Sequence, residues 1–217
     1  NQPPYVPQNY DGKYEGPITL RHALEDSRNV PAVWMISQIS PAQVVAYARR
    51  FGLTGPLQPY LSLALGATEA SLIEMTSAYS VFPNQGVRMT PYLIAKVTDR
   101  DGNVLEENRP QAHDALRTDT AYVMTNLLRG VVQNGTARAA LSLRWPLGGK
   151  TGTTDDYSDA WFIGFDPDLT VGVWVGHDER RPLGLARGDL AQRGVRRQRP
   201  HLPLLGPGRL LDRVRGR

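Results

Sequence analysis

The sequence predicts a mixed α/β domain in which helices and an antiparallel sheet form separate layers. Three observations support this fold class. Apolar residues follow helical spacing up to about residue 82, strand-like spacing begins near residue 92, and three short apolar segments lie between residues 147 and 176. Short polar connections join those last segments, as expected for an antiparallel meander. Helices followed by a run of strands are typical of folds with segregated layers.

Four helices are predicted in the first part of the chain. Thr19 is a suitable N-cap for the first helix, and Pro31 and Pro41 stand where a proline fits the first turn of the second and third. Gly52 is a plausible stop for the third helix, and Pro83 lies beyond the end of the fourth. The expected limits are residues 19–27, 30–39, 40–52 and 69–82.

The remaining elements are predicted from a change in the spacing of apolar residues, from helical to strand-like. A hairpin is expected from strands at 92–98 and 104–106, because Asp99-Arg100-Asp101-Gly102-Asn103 between them is a turn sequence. A long helix is expected next, since apolar residues recur at helical spacing before Asn134-Gly135. The long helix and the last three strands are predicted at Asp119–Val132, Leu147–Thr154, Ala160–Phe165 and Leu169–Gly176.

The charge of the chain divides it into two parts. The formal net charge is +4, but residues 180–217 contain eleven arginines and only two acidic residues, so that segment carries +9 and residues 1–179 carry −5. Residues 1–184 are therefore expected to form one domain with its own core, and residues 185–217 an arginine-rich tail. The positive net charge of the chain therefore comes only from the tail.

Composition excludes several classes of protein. The chain has no cysteine, which rules out a disulfide scaffold, a thiolate metal site and a cysteine nucleophile. No apolar run approaches the roughly 20 residues that span a bilayer. The first residues are polar and proline-rich, unlike a signal peptide, and no initiator methionine is present. We therefore expect the chain to begin inside a longer protein.

Two short motifs carry residues suited to chemistry. Ser27-Arg28-Asn29 lies between two predicted helices, and Lys150–Thr154 begins a predicted strand. Each motif alone has a structural alternative. Ser27 could cap a helix, Lys150 could be a solvated cation at a strand end, and Gly152 could serve close packing within the sheet.

Together the motifs match two of the three signatures of active-site serine acyltransferases that act on penicillin-like and D-alanyl-D-alanine substrates. A serine and a lysine can pass a proton to a leaving group, and an asparagine amide can hold a peptide bond. A glycine in the strand lets a substrate backbone approach closely. Threonine hydroxyls beside a cation suit a terminal carboxylate.

Further segments around the two motifs carry a resemblance to a known family. From about residue 3 to Gly184 the chain resembles the transpeptidase domain of class A, bifunctional penicillin-binding proteins. The segments that carry the resemblance are Asn9–Tyr14, Thr19–Arg21, Ser27–Val33, Lys150–Thr154, Asp159–Phe165 and Gly172–Gly176. The resemblance implies the transpeptidase fold shared with serine β-lactamases, an antiparallel sheet flanked by helices, here incomplete at both ends.

The resemblance also implies an activity and partners. Such domains cross-link peptidoglycan stem peptides by D-alanyl-D-alanine transpeptidation and are inactivated by β-lactam antibiotics, without a cofactor or metal. A membrane anchor and a glycosyltransferase domain would lie upstream, at the periplasmic face of the bacterial inner membrane. Partners would be stem peptides, β-lactams and other cell-wall synthesis proteins, with no nucleic acid.

Residue roles follow from the same resemblance. Ser27 and Lys150 would relay protons during acylation and leaving-group departure, and Asn29 would hydrogen-bond the donor peptide or the β-lactam side chain. The substrate would pair with the strand at Thr151, Gly152 and Thr153, with Thr153 facing its carboxylate; Thr154 is adjacent. An oxyanion hole would use backbone N–H groups of the nucleophile and of the strand near Thr153.

The chain departs from this family in two places. No serine has a lysine three residues later, so the acylating Ser-x-x-Lys motif is missing and the chain is predicted not to react with penicillin by itself. The tail lacks the expected final helix, and three interpretations stay open: a frameshift, a disordered extension and a basic arm for nucleic acid. Read one nucleotide forward, residues 197–203 can encode Ala-Asn-Ala-Pro-Ile-Phe-Arg, which resembles the family's final segment.

Alternative functions remain. One is a non-catalytic penicillin-recognising sensor or β-lactamase relative, and the other is a module that binds polyanions through its basic tail. The histidines are too scattered along the sequence for a metal site. Trp34, Trp161 and Trp174 are expected in the core.

Overall fold

The computed structural model describes residues 5–184 of the 217-residue chain. The arginine-rich segment of residues 185–217, with its three interpretations, lies outside the described residues. In chain order the helices are α1 (Leu20–Glu25), α2 (Asn29–Ile39), α3 (Pro41–Arg50), α4 (Leu72–Ser80) and α5 (Thr118–Gln133), with 3₁₀ turns at Leu61–Leu65 and Arg138–Leu143. The strands are β1 (Val87–Met89), β2 (Lys96–Thr98), β3 (Val104–Glu107), β4 (Ala112–Asp114), β5 (Gly148–Thr153), β6 (Ala160–Phe165) and β7 (Thr170–Val175).

Local capping explains where the helices begin. The Thr19 hydroxyl accepts a hydrogen bond from the backbone N–H of His22 at 3.1 Å, as predicted for the N-cap of α1. Helix α4 begins later than residue 69, because Ser71 and Glu74 form a reciprocal capping box there. Helix α1 is shorter than predicted: it ends at Glu25, before Ser27.

The final three strands form the predicted antiparallel meander. Their order is β5-β6-β7, with Lys150 opposite Ile163 and Ile163 opposite Gly172. Helix α5 packs against β5, and helix α4 packs against β6 and β7. A Cβ at Gly172 would lie 2.0 Å from the Thr76 hydroxyl, so α4 approaches β7 more closely than any side chain there allows.

The core lies around the end of α5. Val131, Val132, Ala137 and Ala140 form a buried cluster, against which residues of α1, the β5 entry and β6 pack. The partly buried side chains on this cluster are Leu24, Leu147 and Phe162. One small core thus joins the first helix, the long helix and the sheet.

Other features differ from the sequence prediction. The first strand of the hairpin is shorter than predicted, because residues 92–94 are exposed outside the ladder, whereas the second extends one residue further, to Glu107. Strands β1 and β4 pair with each other across the hairpin, a nonlocal pairing of short segments that periodicity does not reveal. Trp34 is 59% exposed although a core position was predicted, because α2 buries Val33 and Ile36 instead.

Within residues 5–184, no helix is both long enough and apolar enough to cross a membrane.

Candidate active site

Ser27 occupies a strained turn between α1 and α2. Its φ of 55° lies in the left-handed region, which glycine usually fills at the end of a helix. Two backbone hydrogen bonds close the turn: the N–H of Ser27 donates to Leu24 O at 3.3 Å, and that of Arg28 donates to Ala23 O at 2.8 Å. The serine side chain is therefore carried on a fixed backbone at the end of α1.

The N-terminal loop supports this turn. Arg28 forms an ion pair with Asp11 at 2.9 Å and contacts Glu15. The backbone N–H of Lys13, followed by the Arg28 guanidinium, lowers the pKa of Asp11, so the ion pair persists well below neutral pH. Asn9 is only 8% exposed. Its amide accepts from Val30 N at 3.1 Å and donates to Lys13 O at 2.8 Å.

Asn29 is the first residue of α2 and lies two residues after Ser27. Its side-chain N–H donates to the carbonyl of Gln8 at 2.9 Å, so the N-terminal loop fixes the amide plane. This contact occupies a donor and leaves the amide oxygen able to accept a hydrogen bond. The arrangement can orient the Asn29 carbonyl toward a peptide N–H.

Lys150 comes from β5 and meets Ser27 across 123 residues of sequence. Its Nζ donates to the Ser27 Oγ at 2.8 Å and to the backbone carbonyl of Thr151 at 3.0 Å. Burial lowers the pKa of Lys150 from 10.5 to about 8, because the ammonium loses solvation. The amine therefore releases its proton more readily than an exposed lysine and can both take and return a proton.

The Ser27–Lys150 contact bears on the structural alternatives for the two motifs. Ser27 does not cap α2; Arg28 occupies the N-cap position and no side chain caps it. The Lys150 amine is hydrogen-bonded to Ser27 and its residue is half-buried, which disfavours a freely solvated cation at the strand end. The two predicted motifs thus form one serine–lysine pair.

Gly152 does not serve close packing within the sheet. A Cβ built there would lie 3.4 Å from the Trp161 Cβ, an ordinary contact. Gly149, three residues earlier in β5, contrasts with it, since a Cβ there would lie 2.6 Å from the Ile163 carbonyl oxygen. Space therefore remains at Gly152, on a strand whose only paired neighbour among the described residues is β6.

The threonines of β5 have different surroundings. The Thr151 hydroxyl lies 2.8 Å from the Thr136 hydroxyl, whereas Thr153 is exposed at the strand end. Thr154 belongs to the β5–β6 turn: its hydroxyl accepts from the backbone N–H of Asp159 at 3.0 Å and contacts Ser158 at 3.1 Å. The Thr154 side chain is thus engaged within the turn itself.

A small cavity opens beside Ser27. Its volume is about 240 Å³, and it is lined by Tyr10, Asp11, Asp26, Ser27 and Arg28. The Tyr10 hydroxyl contacts that of Tyr157, which links the N-terminal loop to the β5–β6 turn. The cavity therefore borders the Ser27 turn and the N-terminal loop, and Lys150 is not among its lining residues.

Sequence reasoning did not identify Thr136 or the bracing role of Asn9. Asn9 belonged to a segment that carried the resemblance, but no role was predicted for it. Thr136 follows Asn134-Gly135, which indicates only a helix end. No group of three or more His, Asp or Glu residues in the part of the chain described by the structure could hold a metal ion.

Comparison with known proteins gives consistent likenesses. Residues 1–186 match the family described as penicillin binding protein transpeptidase domain. The chain is 44% identical over 180 residues to penicillin-binding protein 1A of Aquifex aeolicus, an alignment that covers 83% of this chain and 25% of that protein. It is 40% identical over 189 residues to penicillin-binding protein 1A of Neisseria gonorrhoeae, an alignment that covers 84% of this chain and 24% of that protein. The chain thus spans about a quarter of the length of the curated relatives it matches.

Solved structures give the same picture. Penicillin-binding protein 1A from Haemophilus influenzae superimposes with a TM-score of 0.79 at 26% identity, over 95% of this chain and 38% of that one. The D,D-transpeptidase domain of a peptidoglycan glycosyltransferase from Eggerthella lenta superimposes with a TM-score of 0.71 at 25% identity. The superposition covers 86% of this chain and 54% of that one. These likenesses confirm the fold expected from the sequence.

Proposed function

This chain belongs to the penicillin binding protein transpeptidase domain family, and from that premise we propose that it is part of a serine-type D-alanyl-D-alanine transpeptidase. Its substrates are peptidoglycan stem peptides, and β-lactam antibiotics inactivate it. The single observation that carries this proposal is the hydrogen bond between Lys150 Nζ and Ser27 Oγ at 2.8 Å. That contact joins two of the three motifs on which the reaction depends.

The Ser27–Lys150 pair relays protons. During acylation, Ser27 Oγ–H donates a proton to the leaving nitrogen as its bond to the acyl carbon breaks, Lys150 reprotonates Ser27, and the proton released by the acylating serine restores Lys150. A pKa of about 8 suits this role, since the lysine then releases and accepts a proton near neutral pH. Asn29 accepts a hydrogen bond from the donor peptide through its amide oxygen.

The open edge of β5 binds the substrate backbone. Space beside Gly152 allows a peptide or β-lactam to pair with the strand, and Thr153 at the exposed strand end faces its carboxylate. Thr151 contributes backbone rather than hydroxyl contacts, because its hydroxyl is bonded to Thr136. Thr154 supports the strand end by closing the turn.

The acylating serine belongs to a Ser-x-x-Lys motif that these 217 residues do not contain. We propose that a longer protein supplies it upstream, together with a glycosyltransferase domain and an anchor that places the site at the periplasmic face of the inner membrane. In that protein residues 1–184 are the C-terminal part of the transpeptidase domain. Other cell-wall synthesis proteins are its partners.

Labelling with a fluorescent penicillin tests this function. We expect covalent labelling of the longer protein and none of the 217-residue chain. Ser27→Ala in the longer protein should slow labelling by about 10²- to 10⁴-fold, the usual contribution of a general acid or base. Ser37→Ala is the matched control, since Ser37 lies on α2 and its hydroxyl is bonded to Trp34 and Gln38 of the same helix. Labelling of the isolated chain, or an unchanged rate in S27A, would contradict the proposal.

A second candidate is a penicillin-recognising module without catalysis, which the missing Ser-x-x-Lys motif favours for the isolated chain. Equilibrium binding of a β-lactam to the 217-residue chain, reversed by dilution and abolished by Lys150→Met, would support that reading. Reversible binding leaves no covalent adduct in a mass spectrum, so the two candidates give different results.

A further inference from the structure

Thr136 touches both halves of the candidate active site. It lies between α5 and the following 3₁₀ turn, outside the two motifs. Its backbone N–H donates to the carbonyl of Glu25 at 3.0 Å, and Glu25 is the last residue of α1, two positions before Ser27. Its hydroxyl lies 2.8 Å from that of Thr151, the residue after Lys150. Thr136 is therefore hydrogen-bonded both to the last residue of α1, which precedes the Ser27 turn, and to β5, the strand that carries Lys150.

These contacts close a ring. Lys150 Nζ donates both to Ser27 Oγ and to the Thr151 carbonyl, so the lysine also joins the two elements. The serine–lysine distance thus depends on the spacing between the end of α1 and β5. Thr136 bridges that spacing through one backbone and one side-chain hydrogen bond.

Two glycines permit the close approach that the bridge needs. A Cβ at Gly135 would lie 2.1 Å from the Glu25 carbonyl oxygen, and one at Gly130 would lie 2.0 Å from the Glu25 carboxylate. Neither glycine has a positive φ, so space and not backbone conformation explains them. The end of α5 therefore fits against the last residue of α1 only because both positions lack a side chain.

The backbone on both sides of Thr136 is held in place by hydrogen bonds to α5 and by packing in the core. The N–H of Asn134 donates to Gly130 O at 2.8 Å, and the N–H groups of Gly135 and Ala137 donate to Val131 O at 3.2 and 3.1 Å. Ala137 is fully buried in the core cluster with Val131. Thr136 is thus held on both sides by residues that cannot move independently of the core.

We propose that Thr136 is a positioning residue that fixes Lys150 relative to Ser27 through the Thr151 hydroxyl. This inference rests on the proposed function for its catalytic meaning, although the positioning itself concerns geometry alone. The hydrogen bonds of Thr136 go to Thr151 and Glu25, so it acts through those two residues. Removing its hydroxyl frees the Thr151 side chain, loosens β5 at Lys150 and admits water to the amine.

Lysine NMR on the complete 217-residue chain tests the positioning. The chain has only three lysines, Lys13, Lys96 and Lys150, so [ε-¹³C]lysine labelling gives three assignable resonances. Thr136→Val keeps the shape and the backbone N–H but removes the hydroxyl. We expect T136V to raise the Lys150 titration midpoint by about one pH unit, because a better hydrated ammonium is easier to form. Thr136→Ser keeps the hydroxyl and should restore the original midpoint.

Thr125→Val is the matched control. Thr125 lies on α5, and its buried hydroxyl has no hydrogen-bond partner among the described residues. T125V should leave the Lys150 midpoint unchanged. Thr151→Val breaks the same hydroxyl pair from the other side and should raise the midpoint as T136V does, which keeps the test decisive if T136V fails to fold.

The outcomes separate positioning from function. An unchanged midpoint in both T136V and T151V overturns the positioning role, as does an equal rise in T125V. In the longer protein, T136V should slow fluorescent-penicillin labelling about tenfold, with T136S close to the original rate. If the midpoint moves while Ser27→Ala leaves labelling unchanged, the proposed function fails and the positioning of Lys150 stands.

Discussion

Two glycine-to-alanine substitutions should have opposite effects on this protein. Gly135 and Gly152 both lie next to the candidate site and have no positive φ. At Gly135 the new Cβ would stand 2.1 Å from the Glu25 oxygen, whereas at Gly152 it would stand 3.4 Å from the Trp161 Cβ. The same chemical change therefore clashes with a backbone atom at one position and makes an ordinary contact at the other.

The magnitudes follow from those distances. To reach an ordinary contact, the backbone at residue 135 must move by about 1 Å, which breaks the 3.0 Å hydrogen bond from Thr136 to Glu25. Overpacking costs about 1–3 kcal/mol and the lost hydrogen bond about 1 kcal/mol. Gly135→Ala should thus lower the free energy of unfolding by roughly 2–4 kcal/mol and Tm by about 5–15 °C. Gly152→Ala should leave stability unchanged or raise it by up to about 1 kcal/mol, since alanine is preferred to glycine in a strand.

Thermal and denaturant unfolding of both variants, followed by circular dichroism, checks the stability contrast. Fluorescent-penicillin labelling of the longer protein checks the function of the strand edge. There G152A should react more slowly, on the order of 100-fold, because a methyl group displaces the substrate from β5 by about 1 Å. A neutral G135A, or a G152A that loses more than about 1 kcal/mol, would refute the reasoning from glycine contacts. A stable G152A with normal labelling would refute substrate pairing at this edge.

Other predictions concern stability and pH. Hydrogen bonds from the Thr54 hydroxyl and then from Ser71 lower the pKa of Glu74 to about 2, so Glu74 contributes stability that is complete above about pH 4.5 and is lost as pH falls toward 2. Glu74→Gln should therefore cost about 1 kcal/mol in denaturant unfolding at pH 7 and much less at pH 2.5; an equal cost at both would contradict this. Lys150 titrates at about 8 in the folded chain and 10.5 unfolded, so wild-type stability should rise between pH 8 and 10.5 relative to Lys150→Met, by roughly 3 kcal/mol in all. A difference that stays flat over this range would show that the amine is solvated. Trp174→Phe removes the 2.7 Å hydrogen bond from the indole to Asp159 and should cost about 1–2 kcal/mol in urea unfolding, whereas a neutral W174F would mean that water replaces the indole.

The candidate site was predicted unevenly from the sequence. Ser27 and Lys150 were identified because their motifs resemble those of a known family, and the structure joins them by a hydrogen bond. The engagement of Thr154 in the β5–β6 turn was not foreseen, because a threonine beside the motif looks the same whether it binds substrate or closes a turn. Thr136 was missed since a single threonine after a helix end carries no pattern of its own.

Secondary structure was predicted best where its causes are local. The N-cap at Thr19 and the proline at the start of α3 act within one helical turn, and both helices begin where these residues indicate. The meander β5-β6-β7 followed from short polar connections, which leave antiparallel pairing as the simplest path. The pairing of β1 with β4 was not predictable, because three-residue strands separated by a hairpin show no periodicity.

The sequence by itself thus determined the family, the order of the five helices and of the last three strands, and the two candidate motifs. Tertiary structure alone decided that Ser27 and Lys150 meet, that Lys150 loses solvation, and that Thr136 holds the two elements together. The physical reason is the sequence separation over which each kind of interaction acts. Caps, turns and alternation act over a few neighbouring residues, whereas a hydrogen bond across 123 residues and the burial of an amine exist only after α1, α5 and β5 have packed around one core.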